Sequence, residues 1–218
     1  MKRLSFIFAL VFGALAYGLA GAVTMPKPAS SFDIGATHVD KYGTGEPALI
    51  LIPGLTDSAA VWSGTIARFA PTHTIYALTL AGFGGTKPTQ SPMIEKAVSD
   101  VVSLIAQEHL NKPVAIGHSL GGFTVLRIAE EHSDLLRGAI AVDGLPVFYG
   151  MDAMTAAQRS ANAAQIAAPL ANLTPDQLMA GAKTYSVPYM TQAKNVDTVV
   201  AFGKGADPAA TSEYMTEL

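Results

Sequence analysis

The chain contains no cysteine and little charge, and each shortage excludes classes of protein. Without cysteine there is no disulfide scaffold, thiolate zinc site, cysteine nucleophile or lipid-modified cysteine. Only 14% of the 218 residues are charged and 50% are hydrophobic, whereas disorder requires low hydrophobicity and high charge. A net charge of −3 implies no basic patch, so nucleic acid is not an expected partner. The length suits one domain, or one domain with a lid.

The first 22 residues have the layout of a secretory signal peptide. Lys2 and Arg3 precede an uncharged stretch over residues 4–19, and Ala20 and Ala22 are the small residues that a signal peptidase reads. We therefore expect cleavage after Ala22 and an exported protein, periplasmic or secreted. The alternative is an uncleaved N-terminal membrane anchor, although the stretch is shorter than the ~20 residues that span a bilayer. No stable membrane span is expected after cleavage.

Residues 23–31, with two prolines, are predicted to be a linker, and residues 32–145 the front part of an α/β core. Short apolar runs alternate there with amphipathic segments, a pattern typical of a mostly parallel sheet flanked by helices. The pattern changes after Pro146, and residues 146–218 are predicted to form a helical lid region. The expected strands are a strand-like segment over 32–42 and apolar runs at 48–52, 74–78, 113–116 and 138–142.

The sequence Gly117-His118-Ser119-Leu120-Gly121 matches the motif G-x-S-x-G between a predicted strand and a predicted helix, which is the context that the motif requires. The turn there is so tight that the serine backbone is strained, and small residues at 117 and 121 prevent backbone collisions. Such a turn raises the Ser119 hydroxyl above the carboxyl edge of the sheet, at the start of the following helix. Ser119 is therefore the candidate nucleophile.

Three stretches resemble the α/β-hydrolase superfamily, in its serine esterase, lipase and peroxidase-like branch. They are Leu51–Leu55, which is similar to the oxyanion-hole strand and loop, Leu80–Thr86, which is similar to the glycine loop after the next strand, and the elbow at 117–122. The resemblance implies a serine hydrolase acting on a carboxylic ester or related acyl substrate. It also implies that the backbone N–H groups of Leu55 and Leu120 form the oxyanion hole. Trp62 is expected to lie in the core.

The family needs an acid and a histidine after the serine in chain order, and the sequence supplies only part of this set. Asp143 ends the last predicted strand and is a possible acid, although a turn residue before Gly144 is the alternative reading. None of the five histidines is a convincing base. His118 should point to the opposite side of the turn, and the others fall in peripheral elements, at the amino edge of the sheet or at the far end of a helix. They are His38, His73, His109 and His132.

The missing histidine suggests an incomplete chain that lacks the last strands and helices and is inactive alone. The last predicted strand would then be an open apolar edge, which invites aggregation. Ester, thioester, lactone, amide and carbon–carbon bonds all remain possible targets, whereas Ser119 excludes the branches that use aspartate at that position. The alternative is a non-catalytic module, binding or regulatory, that kept the sheet. The sequence contains no P-loop, dinucleotide fingerprint or metal-ligand spacing, so neither cofactor nor metal is expected.

Overall fold

The computed structural model describes residues 26–144, 151–190 and 193–218. The predicted signal peptide lies outside the described residues, as does the start of the predicted lid at 146–150. The six strands are β1 (Ser30–Ile34), β2 (Thr37–Tyr42), β3 (Leu49–Ile52), β4 (Ile75–Thr79), β5 (Val114–His118) and β6 (Gly138–Val142). The α-helices are α1 (Ser63–Phe69), α2 (Met93–Gln107), α3 (Leu120–Glu131), α4 (Ala156–Ala167), α5 (Pro175–Ser186), α6 (Val196–Ala201) and α7 (Pro208–Glu217).

The strands form one sheet in the order β1-β2-β4-β3-β5-β6, in which β4, β3, β5 and β6 are parallel. Every residue of β3 and β4 is buried, as expected for continuous apolar strands covered on both faces. The predicted architecture, a mostly parallel sheet flanked by helices, is confirmed. Because the strands are parallel, the loops that follow β3 and β5 leave the sheet at the same carboxyl edge, and this arrangement positions the candidate site.

The segment over 32–42, predicted as one strand-like stretch, forms two antiparallel strands instead. Gly35 turns the chain with a φ of 57°, and Ile34 then pairs with Thr37. The turn is held by Asp100 of α2, which accepts from the Ala36 amide at 3.1 Å and from the Thr37 hydroxyl at 2.8 Å. β1 begins at Ser30, two residues inside the predicted linker.

Apolar side chains fill both faces of the sheet. The larger cluster lies beneath α2, α3 and α7 and includes Val101, Ile128 and Tyr214. The smaller cluster lies beneath α1 and includes Ile66 and Trp62, which is 5% exposed. Trp62 is therefore a core residue, as its place in an amphipathic segment predicted.

The described residues after 150 form helices and turns, with no strand among them. Thr174 and Asp207 cap the starts of α5 and α7 by accepting hydrogen bonds from the Gln177 amide at 3.2 Å and the Ala210 amide at 2.8 Å. Each cap is followed by proline at the first helical position, where its missing N–H costs nothing. Of the helices in the described ranges, none is both long and apolar enough to cross a membrane.

The outer side of β6 is the open edge of the sheet within the described residues. β6 pairs with β5 on one side, and no other described strand reaches its second side. Ile140 in the middle of β6 is 48% exposed, which is unusual for a parallel strand. Unpaired strand amides beside exposed apolar surface favour association with another strand.

Candidate active site

Ser119 occupies the junction between β5 and α3. Its backbone has φ 52° and ψ −116°, a region that non-glycine residues rarely adopt. The turn is held on both sides, because the Ser119 amide donates to the Val142 carbonyl at 2.9 Å and the Ser119 carbonyl accepts from the Phe123 amide at 2.9 Å. Strain that is held in place by surrounding structure is characteristic of functional positions.

The glycines around Ser119 are there because nothing larger fits. A Cβ on Gly117 would lie under 3.0 Å from the backbone of Gly121, and a Cβ on Gly121 would lie equally close to the carbonyls of Ile52 and Pro53. Backbone atoms cannot swing away as flexible side chains can, so these positions exclude side chains. The close approach brings the elbow against the loop after β3.

That loop begins with a tight turn over residues 54–57, which we call the oxyanion turn after the predicted donor Leu55. The Asp57 amide donates to the Gly54 carbonyl at 3.1 Å, and Thr56 has a φ of 68°. Leu55 in this turn and Leu120 at the first turn of α3 are both buried, on either side of the elbow contact. The helix start adds the positive end of its dipole to this region. The structure thus brings the two predicted oxyanion donors and Ser119 into one part of the fold.

Asp57 is a buried carboxyl on the oxyanion turn, and no motif in the sequence indicates it. Its side chain is 7% exposed, and burial raises its pKa to about 7 from an ordinary value of 3.8. Its Oδ2 and the Nδ1 of His118 border the same small space beside Gly54, at 3.4 Å and 3.0 Å from the position of a Cβ there. His118 is buried at the end of β5. No charge pattern in the sequence marked Asp57, because burial is a tertiary property.

Two features of Thr56 reduce the stability of the folded chain. A β-branched residue with positive φ is strained, and its Oγ1 is buried without a hydrogen-bond partner. Such a hydroxyl costs about 1–3 kcal/mol and calls for a structural or functional reason. Oγ1 lies 3.4 Å from the position of a Cβ on Gly203, so the chain between α6 and α7 covers it closely.

Residues 202–207 between α6 and α7 are fastened to the loops around the site. The Phe202 carbonyl accepts from the amide and the hydroxyl of Ser58, at 3.1 and 3.2 Å. The Gly205 carbonyl accepts from the Gly85 amide at 3.0 Å, and the Asp207 amide donates to the Gly82 carbonyl at 2.7 Å. The glycine loop after β4 therefore serves as an anchor for the helical region.

Asp143 lies beside the elbow and has an exposed side chain. Its φ is 54°, and the next residue, Gly144, packs so closely against Gly122 that neither could carry a Cβ without displacement. Both readings of Asp143, possible acid and turn residue, are compatible with this position. Four histidines lie elsewhere: His38 on β2, His73 before β4, His109 after α2 and His132 at the end of α3.

Comparisons with known proteins identify the family of the chain. A model of the alpha/beta hydrolase family matches residues 49–215, so the chain belongs to that family. Among curated relatives, "Lipase LipV" of Mycobacterium tuberculosis (strain ATCC 25618 / H37Rv) is 32% identical over 126 residues, covering 55% of this chain and 48% of the relative. A pimeloyl-[acyl-carrier protein] methyl ester esterase of Yersinia enterocolitica is 28% identical over 110 residues, covering 50% and 41%.

Solved structures show the same fold at low identity. A thermophilic esterase from Thermogutta terrifontis superimposes with a TM-score of 0.70 and 17% identity, covering 87% of this chain and 73% of the esterase. A hydrolase from Pseudomonas aeruginosa gives a TM-score of 0.68 and 13% identity, covering 83% and 67%. The matches span about half the length of the curated relatives.

Proposed function

We propose that the protein is a serine hydrolase that acts on a carboxylic ester or related acyl substrate. The observation that carries the proposal is the strained backbone of Ser119 between β5 and α3, enclosed by glycines that admit no Cβ. The curated relatives, a lipase and an esterase, support an ester bond as the target. No metal or cofactor enters the proposal.

The mechanism assigns one role to each group. The Ser119 Oγ attacks the acyl carbonyl carbon and forms a tetrahedral intermediate, whose oxygen carries the negative charge. The N–H groups of Leu55 and Leu120 donate to this oxygen, and each such donor contributes about 3–4 kcal/mol in a well-studied case. Collapse of the intermediate expels the alcohol and leaves an acyl-enzyme, which water then hydrolyses. A base must take the serine proton and return it to the leaving alcohol.

We place the base on a segment that pairs with the outer edge of β6. The exposure of Ile140 and the open second side of β6 support this placement, since a strand there would end beside Asp143. The acid that orients the base would be Asp143 in this arrangement, or another acidic residue on the new strand. The chain as given is then incomplete and nearly inactive by itself.

The experiment extends the chain by the C-terminal strand–helix units of a complete relative and measures hydrolysis of a short activated ester. We expect the extended chain to turn over, and the unextended chain to be slower by at least ~10⁴, the cost of losing one triad member. If the unextended chain is soluble and stable, and neither it nor the extended chain turns over the ester, the non-catalytic binding module is favoured.

Export is a further part of the proposal, and N-terminal sequencing of exported protein should find cleavage after Ala22.

The open edge of β6 should make the unextended chain self-associate. Ile140→Lys puts a charge on that edge and should shift the protein towards monomer in size-exclusion chromatography, because charged side chains block strand pairing. Val187→Lys is the matched control, since Val187 is equally exposed, at 52%, but lies in the helical region. A monodisperse, cooperatively melting wild-type monomer would contradict the open-edge account.

A further inference from the structure

The oxyanion turn carries two buried polar side chains at consecutive positions. The Thr56 hydroxyl is fully buried without a partner, and the neighbouring Asp57 is 93% buried with no charged group contributing to its pKa. Both buried groups lie within residues 54–57, which contain Leu55, the proposed oxyanion donor. A buried hydroxyl without a partner, such as that of Thr56, calls for a structural or functional explanation.

The surroundings of Asp57 favour a neutral carboxyl. From β5, the imidazole of His118 faces the same space across Gly54. Burial is the cause of the raised pKa, which reaches about 7. No lysine or arginine contributes to the shift in the pKa of Asp57. A protonated Asp57 therefore fits the turn, because burial disfavours the ionised form of its carboxyl.

Ionisation of Asp57 would also oppose the proposed chemistry. Its carboxyl packs against Gly54, the residue bonded to Leu55, whose N–H is proposed to stabilise the negative oxygen of the intermediate. A carboxylate at this place repels a developing oxyanion, and poor access to water leaves the repulsion weakly screened.

We propose that Asp57 is a positioning residue of the oxyanion turn, which supports a negative tetrahedral group on Ser119 only while the Asp57 carboxyl is protonated. This inference rests on the proposed function. It predicts that wild type binds such a group less tightly, relative to a variant with a neutral residue at position 57, as the pH rises from 6 to 8.5. The ligand class is any acyl group or analogue that becomes an anionic tetrahedral adduct on Ser119.

The test uses the extended chain, which carries the missing base, and a short alkylboronic acid, so that it measures binding at Ser119 and not turnover. The Ser119 oxygen adds to boron, the serine proton is released, and a tetrahedral boronate anion remains. We expect the affinity of wild type relative to Asp57→Asn to fall about tenfold between pH 6 and pH 8.5, with a midpoint near the Asp57 pKa of about 7. Taking the ratio at each pH cancels the pH dependence of the boronic acid and of any shared base.

Two controls separate the possible failures. Asp134→Asn makes the same change at an exposed position beyond the end of α3 and should bind like wild type at every pH. Ser119→Ala should not bind. Equal pH dependence in wild type and Asp57→Asn would overturn the role of Asp57 and leave the proposed function standing. Absence of Ser119-dependent binding in both proteins at every pH would overturn the proposed function and this inference together.

Discussion

Replacing Ser119 with alanine in the extended chain should reduce ester hydrolysis by about 10⁴–10⁶-fold, the loss seen when a catalytic serine is removed from a complete triad. Alanine keeps a Cβ at the strained position, so the elbow should retain its shape. The Ser119 amide bond to the Val142 carbonyl does not depend on the hydroxyl. The measurement is kcat/KM on a short activated ester, with circular dichroism to verify the fold.

Ser99→Ala is the matched control for this substitution. Ser99 is exposed on α2, where its hydroxyl donates to the Glu95 carbonyl at 3.0 Å, away from the elbow. We expect the kcat/KM of Ser99→Ala to equal that of wild type. Hydrolysis that survives Ser119→Ala with less than a tenfold loss would show that another group attacks the ester.

Asp57→Asn should make the protein markedly more stable at pH 8, although it alters the oxyanion turn. The folded state raises the Asp57 pKa to about 7 from 3.8, so folding favours the protonated form. The contribution of this group to stability is fully present below pH 3.8, declines as the pH rises towards 7 and stays low above it. A shift of about three pKa units corresponds to roughly 4 kcal/mol, and asparagine avoids this loss because it never ionises.

The stability difference between Asp57→Asn and wild type should therefore depend on pH. We expect it to be small near pH 4 and to reach about 10 °C in melting temperature at pH 8 for a chain of this size. Asp134→Asn should show no such pH-dependent gain, because its carboxylate is exposed. A constant difference across the pH range would mean that Asp57 titrates near its ordinary pKa in the folded protein.

The sequence predicted the sheet and the elbow because both are local patterns. Continuous apolar runs such as Gly138–Val142 are long enough to mark parallel strands, and β6 has the predicted bounds. The elbow is indicated by glycines at 117 and 121, because a side chain at either position would collide with nearby backbone atoms.

What the sequence did not predict depends on contacts between distant segments. The hairpin of β1 and β2 was read as one stretch, because its turn at Gly35 is stabilised by Asp100, over sixty residues away. Asp57 lies in no recognisable local pattern, and its burial beside Gly54 and His118 distinguishes it only in the folded structure. The close cover of Thr56 by Gly203 likewise joins segments that no local pattern connects.

The most direct measurement is to locate the covalent adduct of a fluorophosphonate probe on the extended chain, which carries the missing base, by mass spectrometry. The attacking oxygen forms a bond to phosphorus and fluoride leaves, so the probe marks the nucleophile. Trypsin should release residues 97–127 as one peptide, which contains Ser99 and Ser103 as internal controls. We expect the adduct on Ser119 alone. An adduct on another residue, or none after prolonged incubation at high probe concentration, would contradict the assignment of Ser119 as the nucleophile.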